Sequence, residues 1–192
     1  PQLLQLSGIG PAQLLHTFNI APVHVLPGVG ENLQDHLQIR LIYECTQPIT
    51  TNDELRSPLR KLRMGLQWLL TRSGPLAIGI NQGGLFTRVL KQSDTPDIQY
   101  HFGTLSADSA GGSVHPFSGF TMSVCQLRLE SRGHVRLTSS DPLQPPSMQP
   151  NYLSTELDRK TVIAAVRYTR KLAATGPLKR LIRSEYRPGN ET

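Results

Sequence analysis

The chain has 192 residues, of which 38% are apolar and 18% are charged, a composition that supports a folded core and excludes a largely disordered chain. Its formal net charge is +6, but the basic residues lie on helical segments such as 56–63 and 159–187. Lys and Arg usually face solvent on such helices, so no nucleic-acid partner is predicted. No run approaches the ~20 consecutive apolar residues of a membrane span, so no transmembrane segment is predicted.

The cysteines predict the cellular compartment, and the first residues predict that the chain is part of a longer protein. Cys45 and Cys125 stand far apart without a CxxC pair. This pattern is typical of buried thiols in a reducing compartment, and it predicts a cytoplasmic protein. Pro1 and the residues after it have the character of the inside of an element, so we interpret the chain as part of a longer one.

The first 36 residues predict several short elements. Helices are expected at 1–7 and 11–18, the second because Pro11 suits a first helical turn. An extended run at 23–26 is followed by a turn at 27–30.

A strand and a longer helix are predicted next. Apolar and polar residues alternate from His36 to Cys45, which is the period of a half-buried strand. A helix is expected to begin at Ser57-Pro58 and to end at Gly74-Pro75. Leucines recur along it at helical spacing, which predicts core packing: Leu59, Leu62, Leu66, Leu69 and Leu70.

Four further strands are predicted, at 85–89, 98–102, 120–129 and 135–137. The alternation in the third changes phase between Val124 and Cys125, which indicates either a β-bulge or a strand buried on both faces. The turn residues 131–133 predict that Leu129 and Val135 belong to a hairpin.

The last third of the chain predicts an irregular segment followed by a helix. Residues 141–150 are rich in proline, and Thr155 with Asp158 resembles a capping box that starts a helix through residue 174. A short helix is expected after Gly176-Pro177. Strands in the middle and helices at both ends predict an α+β fold, with a mixed or antiparallel sheet of about five to six strands and helices packed on one side.

The common catalytic signatures are missing from the sequence. No GxSxG places a serine on a strand-to-helix turn, and the histidines show neither HExxH spacing nor a cysteine partner for a metal. The GVG at 28–30 favours a plain tight turn over a phosphate-binding loop. The residues alone therefore predict an α+β domain without an assigned catalytic residue or metal site.

Several motifs follow one another along the chain. The first two are PQLLQLSGIGPAQLL at 1–15 and LPGVGENLQDHL at 26–37. The later ones are GPLA at 74–77, GGLFTR at 83–88, PDIQYHF at 96–102, HPFSGFTMSVCQLRLESRGHVRL at 115–137 and PNYL at 150–153. Together they cover nearly the whole chain, and in this order they resemble the glucose–methanol–choline (GMC) oxidoreductase family, in particular its choline-dehydrogenase-like branch.

The resemblance implies part of an FAD-dependent enzyme that oxidises the CH–OH group of an alcohol by hydride transfer to flavin. Residues 1–36 would complete an FAD-binding domain, and 37–192 would form most of a substrate-binding domain. The GxGxxG loop that seats the FAD pyrophosphate and the HPxGT-type catalytic histidine are not in this sequence. The chain alone is therefore expected to be inactive, and its partner would be the missing FAD-binding domain.

The resemblance also implies candidate site residues. Asn32, Gln34, Asp35 and His36 correspond to a segment near the cofactor, although Asp35 and His36 could equally be a structural pair. The candidate substrate-pocket residues are Gln82, His101 and His115, although core or surface-loop roles are open for both histidines.

The substrate is expected to be a small neutral alcohol. Asn81-Gln82 lies where choline-oxidising relatives place an acidic residue. The missing Coulomb partner would cost a cationic substrate on the order of 1–4 kcal/mol.

A different class of function remains open, namely a stand-alone binding or interaction domain without catalysis. The PGVGENLQDH run argues against it, because this run has little purpose without a flavin domain to join. In either case, apolar surface left uncovered predicts possible dimerisation.

Overall fold

The computed structural model describes residues 1–109, 111–189 and 191. They form two compact units, the first of residues 1–37 and 129–160 and the second of residues 38–128 and 161–192. Residues 129–160, which the sequence groups with the substrate domain, thus belong to the same unit as residues 1–37.

The second unit contains a five-stranded antiparallel sheet. Its strands are β4 (Gln38–Cys45), β5 (Asn81–Thr87), β6 (Ile98–Gly103), β7 (Gly119–Gln126) and β10 (Ile182–Arg187). They lie in the order β10-β4-β7-β6-β5. The helical segments are α3 (Thr51–Arg56), α4 (Pro58–Thr71), a 3-10 turn (Pro75–Ala77), α5 (Glu156–Ala173) and α6 (Gly176–Lys179). Helix α5 begins in the first unit, and the second unit takes it from residue 161 onwards.

One face of this sheet packs against α5. Leu41, Tyr43, Phe120 and Met122 are buried together with Ala173. Tyr100 also lies in this core, where its hydroxyl donates to the carbonyl of Ala165 and lies 2.8 Å from Thr169 Oγ1. Burial raises the pKa of Tyr100 to about 12, although the Thr169 contact lowers it in part. The hydroxyl therefore stays protonated at neutral pH.

Strand β7 is the middle strand and is buried on both faces. Its register runs without a shift against β4, from Glu44 opposite Gly119 to Gln38 opposite Cys125, and it is also regular against β6. A bulge between Val124 and Cys125 is therefore absent, and burial on both faces explains the change of phase.

The first unit contains short elements held by a buried amide. They are α1 (Gln2–Leu6), β1 (Ile9–Gly10), α2 (Ala12–Thr17), β2 (His24–Val25), β3 (Glu31–Leu33), β8 (Gly133–Arg136) and β9 (Ser147–Gln149). Gln5 is fully buried, and its Nε2 donates to the carbonyls of Val29 and Val135 at 3.2 and 3.0 Å. Gly30 has φ +90°, and a Cβ there would lie 2.2 Å from Val135 O, so only glycine fits this turn.

The predicted hairpin between Leu129 and Val135 is wrong. Strand β7 ends at Gln126, and β8 pairs with β3 and β9 in a separate three-stranded sheet. The 141–150 segment, predicted to be irregular, contains the short strand β9.

The leucine stripe of α4 is not core. Its five leucines are between 48% and 78% exposed, whereas Met64 on the same helix is buried. The helix itself is placed correctly, and Ser57 caps it by accepting from Arg60 N.

The predicted fold class is confirmed by the antiparallel sheet and by α5 on its apolar face. Among the described residues, no helix has the length and apolarity needed to cross a bilayer.

Candidate functional site

A cavity of about 460 Å³ lies on the sheet face that is opposite α5. Strand residues form its floor: Gln38, Arg40, Asn81, His101, Gly103, Thr121 and Ser123. Its other lining residues precede β5 or follow β6: Ile80, Leu105, Ala107, Ser109, Gly111 and Gly112. The floor is mostly polar because neighbouring side chains of a strand point to opposite faces, and the apolar set faces α5.

Three polar residues form a row across the middle strands. Arg40 on β4 is paired with Ser123 on β7, and Ser123 is paired with His101 on β6. Neighbouring strands are about 4.8 Å apart, so the Cα atoms of Arg40 and His101 are separated by roughly 10 Å. This span suits a small ligand of a few carbon atoms.

Hydrogen bonds order the floor next to this row. Ser123 Oγ donates to Gln38 Oε1 at 2.8 Å, which holds two of the lining side chains together. Thr121 Oγ1 donates to the carbonyl of Leu105 at 2.7 Å and so ties β7 to the segment that forms the wall.

Asn52 anchors that wall. It is fully buried, and its Nδ2 donates to Ser106 Oγ at 2.9 Å and to the carbonyls of His115 and Phe117 at 3.2 and 3.1 Å. Its Oδ1 accepts from the Ser106 backbone N–H at 2.9 Å. One side chain of α3 thus joins Ser106 to His115 and Phe117 within the wall segment, which consists of residues 104–109 and 111–118.

His101 lines the cavity, whereas the other two candidate pocket residues do not. Gln82 is exposed beside Asn81, at a register irregularity of β5, and only Asn81 contributes to the lining. His115 is buried between the rings of Phe117 and Tyr186, at centroid distances of 4.9 and 5.0 Å. Its Nε2 lies 3.3 Å from Asp108 Oδ1. His115 is thus part of the wall segment, but its ring packs on Phe117 and Tyr186 and does not line the cavity.

The charge of the lining is positive. Arg40 is the one fully cationic side chain among the lining residues, and none of them is Asp or Glu. Arg40 was not singled out from the sequence, although the alternation of Gln38 and Arg40 with buried residues was a signal that both share one face.

The predicted cofactor segment lies in the first unit and is exposed. Asn32 has φ +60°, and Gln34, Asp35 and His36 follow it on the surface. Asp35 accepts a hydrogen bond from the Tyr152 hydroxyl, which raises the pKa of Tyr152. Asp35 and His36 share no hydrogen bond or ion pair among the described residues, so the structural pair that the sequence left open does not form within this part of the chain.

Two buried polar residues of the first unit are structural. Gln5 joins α1 to the 27–30 turn and β8, and its Oε1 accepts from Leu137 N at 3.1 Å. The Asp158 carboxylate accepts from the backbone N–H groups of Glu130 and Ser131 at 3.0 and 2.9 Å. The sequence identifies Asp158 as a capping residue, and it indeed lies at the start of α5, where its own N–H donates to Thr155 Oγ1. Among the described residues, no group of three or more His, Cys, Asp or Glu side chains is placed to hold a metal ion.

Known proteins resemble this chain over its whole length. It is 40% identical over 191 residues to an oxygen-dependent choline dehydrogenase of Proteus mirabilis, and 41% identical over 189 residues to that of Ectopseudomonas mendocina. These alignments cover 100% and 98% of the chain but only 34% and 33% of the relatives. The chain therefore spans about a third of the length of the relatives it matches.

Solved structures share the fold. A formate oxidase superposes with a TM-score of 0.87 at 24% identity, covering 97% of this chain and 37% of the oxidase. A fungal aryl-alcohol oxidase superposes with a TM-score of 0.76 at 22% identity, covering 100% of this chain and 39% of the oxidase. Residues 130–192 match the family described as GMC oxidoreductase. The predicted resemblance is confirmed: residues 130–192 match the GMC oxidoreductase family, and the whole chain is homologous to a segment of the choline dehydrogenases.

Proposed function

We propose that the chain forms the substrate-binding part of an FAD-dependent enzyme that oxidises the CH–OH group of a small alcohol. The carrying observation is the cavity over the Arg40–Ser123–His101 row, in a chain that aligns along its length with choline dehydrogenases. A hydroxyl group needs hydrogen-bond partners when it leaves water. Ser123 and His101 offer such partners on the cavity floor.

The exposed segment at 32–36 fits the edge of a flavin. Asn32, Gln34 and His36 are exposed polar side chains that make no hydrogen bonds to other described residues. Amide and imidazole groups can donate to or accept from the nitrogen and carbonyl groups of an isoalloxazine ring. We therefore propose that these residues, with Asp35, contact FAD, which would supply the hydride acceptor. Residues 1–36 would then complete the flavin domain, together with 129–160 of the same compact unit, and the rest of 37–192 would provide the substrate domain.

The first test uses the visible absorption spectrum. Chain 1–192, mixed with FAD and dialysed, is expected to be colourless, whereas the longer parent protein should retain yellow flavin. Flavin retained at near one equivalent by the chain alone would show that the FAD site is complete within it. A parent that neither holds flavin nor oxidises alcohols would favour a binding domain without catalysis.

The second test examines the cavity in the FAD-loaded parent. His101→Ala is expected to lower kcat/KM for alcohols by about tenfold or more, since a lost hydrogen bond to a reacting hydroxyl removes roughly 1–2 kcal/mol. The matched control is His16→Ala, because His16 is exposed on α2 and does not line the cavity. Equal kinetics for both variants would exclude the cavity as the alcohol site.

We also propose a reducing compartment, such as the cytoplasm, for the parent protein. Cys45 and Cys125 are free and buried, and burial raises the pKa of both thiols. Cys45 ends β4, whereas Cys125 pairs with Gln38 at its start, so the length of the strand separates them by roughly 20 Å. A disulfide between them is sterically excluded. Alkylation of freshly lysed cells should label both thiols once the protein is unfolded, and oxidised thiols would contradict the proposal.

We propose no nucleic-acid partner. Several basic side chains pair with carboxylates, as Arg183 does with Glu44 at 2.8 Å and Arg136 with Glu31 at 3.0 Å. Retention of the protein by DNA or RNA in a filter-binding assay, with affinity falling steeply as salt rises, would contradict this.

A further inference from the structure

Arg40 has no acidic partner among the described residues, unlike three other arginines around the sheet. On β10, Arg183 lies 2.8 Å from Glu44 and Arg187 lies 3.0 Å from Asp108. On α5, Arg170 pairs with Glu185 at 2.8 Å. The Arg40 side chain makes no ion pair or hydrogen bond to any residue of 1–109, 111–189 or 191 that the structure describes.

The strand fixes the direction of Arg40. Its neighbours Ile39 and Leu41 pack into the clusters on the α5 side. Because successive side chains of a strand alternate, Arg40 projects from the other face, where it lines the cavity. Its guanidinium is therefore a positive charge on the cavity floor. The described lining residues include no Asp or Glu to neutralise it.

The cavity also leaves room for a ligand between Arg40 and His101. The residue between them in the row is the small Ser123, and Gly103 lies next to it on the floor without a side chain. Gly111 and Gly112 in the wall are likewise small. A ligand can therefore reach from the guanidinium towards the imidazole, a distance of roughly 10 Å between the Cα atoms.

We propose that the alcohol substrate carries a carboxylate, as a hydroxy acid does, and that Arg40 binds this carboxylate. Guanidinium groups bind carboxylates through two parallel charge-assisted hydrogen bonds, which also orient the ligand. The hydroxyl end of the same molecule then lies towards Ser123 and His101, and the carboxylate remains unchanged during the oxidation. This inference rests on the proposed function. It replaces the neutral alcohol that the sequence predicts from Asn81-Gln82 with an alcohol that carries a negative charge. A substrate with a cationic headgroup is disfavoured for two reasons. Arg40 would repel it, and the described lining residues include no carboxylate to pair with it.

The test compares substrates of equal length but different charge in the FAD-loaded parent. The probes are gamma-hydroxybutyrate, its neutral amide and choline. We expect kcat/KM for the carboxylate to exceed that for the amide by about tenfold to a hundredfold, because a hydrogen bond to a charged group contributes about 1.5–3 kcal/mol. Arg40→Gln should reduce this ratio by about the same factor. Arg167→Gln on the exposed side of α5 is the matched control and should leave the ratio unchanged.

A binding measurement separates this proposal from the proposed function. Butyrate has no hydroxyl group and cannot be oxidised, so its dissociation constant, measured by calorimetry, reports on Arg40 alone. Butyrate should bind at least about tenfold more weakly to the Arg40→Gln variant than to wild type. If no alcohol reduces the flavin but butyrate still depends on Arg40, the oxidoreductase function fails and the anion site stands.

Three results would overturn the proposal. The first is equal kcat/KM for carboxylate and amide in the wild-type enzyme, with the flavin still reduced by both. The second is a preference for choline over both other probes. The third is an Arg40→Gln variant that holds FAD and keeps the full carboxylate preference, because a group other than Arg40 would then bind the carboxylate.

Discussion

The two faces of the five-stranded sheet differ in what covers them. On one face, Leu41, Tyr43, Phe120 and Met122 are buried against α5. On the other, Arg40, Ser123 and His101 form the floor of an open cavity. The same strands supply both faces, because each alternates between the two sets of side chains.

This difference separates stability from binding. Burial of apolar side chains against α5 supplies the hydrophobic free energy that holds the sheet together. The polar face contributes little of this free energy, so its side chains can vary with the ligand. Strand β7 is covered on both faces, and Thr121 on it donates a hydrogen bond to the carbonyl of Leu105 in the wall segment.

The largest expected effect comes from neighbouring residues on opposite faces. Leu41→Ala should lower the free energy of unfolding by about 2–5 kcal/mol, because Leu41 is fully buried and truncation leaves a void. Arg40→Ala should change it by no more than about 0.5 kcal/mol, since Arg40 is exposed and its side chain has no partner among the described residues. Urea unfolding followed by far-ultraviolet circular dichroism measures both. A large loss for Arg40→Ala would mean that the polar face is packed rather than open.

Elements with a strong apolar period could be predicted from the sequence, and those without one could not. The alternation of β4 and the cap of α4 at Ser57-Pro58 both placed their elements correctly. Strand β10 was missed because it is an edge strand with only partly buried residues, and it therefore lacks the alternation that a core imposes. The prediction that the α4 leucines are core was wrong, because helical periodicity identifies an apolar stripe but does not show which residues cover it.

The candidate site depended on pairing between distant strands. His101 was identified, but its row with Ser123 and Arg40 arises from the order β4-β7-β6, which local pattern does not show. His115 is buried because Tyr186 of β10 packs against it, and β10 itself was not predicted. Residue type and the local sequence pattern therefore predicted single residues of the site. The register between β4, β7 and β6 is what brings these residues together.

The second prediction concerns the support of the cavity wall. Asp53 caps α3 by accepting from both the N–H and the hydroxyl of Thr50 at 3.0 Å, and Thr50 in turn accepts from Gly119 N at the start of β7. Asp53→Ala should lower the free energy of unfolding by about 1–3 kcal/mol, because it removes the cap and leaves a buried N–H unpaired. Glu54→Ala is the matched control, since Glu54 pairs with the exposed Arg60, and should cost less than about 0.5 kcal/mol.

The contribution of Asp53 should depend on pH. Burial raises the pKa of its carboxyl, but hydrogen bonds from Ser118, Thr50 and Arg56 outweigh burial and hold the pKa below its ordinary value of 3.8. A lowered folded-state pKa means that this stabilisation is complete above the unfolded value and is lost as pH falls through the folded value. The difference between wild type and Asp53→Ala should therefore be constant from pH 7 to about pH 5 and shrink in more acidic urea titrations. A difference that grows in acid would reverse the sign of the pKa shift.

The smallest expected effect on stability concerns α4. Its leucines are exposed, whereas the apolar side chains of α5 pack against the sheet. Leu62 and Leu66 are 60% and 48% exposed, so Leu62→Gln and Leu66→Gln should each change the free energy of unfolding by less than about 0.5 kcal/mol. The same substitutions should weaken self-association of the chain, because an uncovered leucine stripe is a favourable surface for a second copy. Sedimentation velocity over a range of concentrations measures this, with Lys61→Gln on the same helix as the matched control. A loss of more than about 1 kcal/mol in the free energy of unfolding would show that these leucines already pack within the folded chain. A chain that stays monomeric at every concentration would contradict self-association through the leucine stripe.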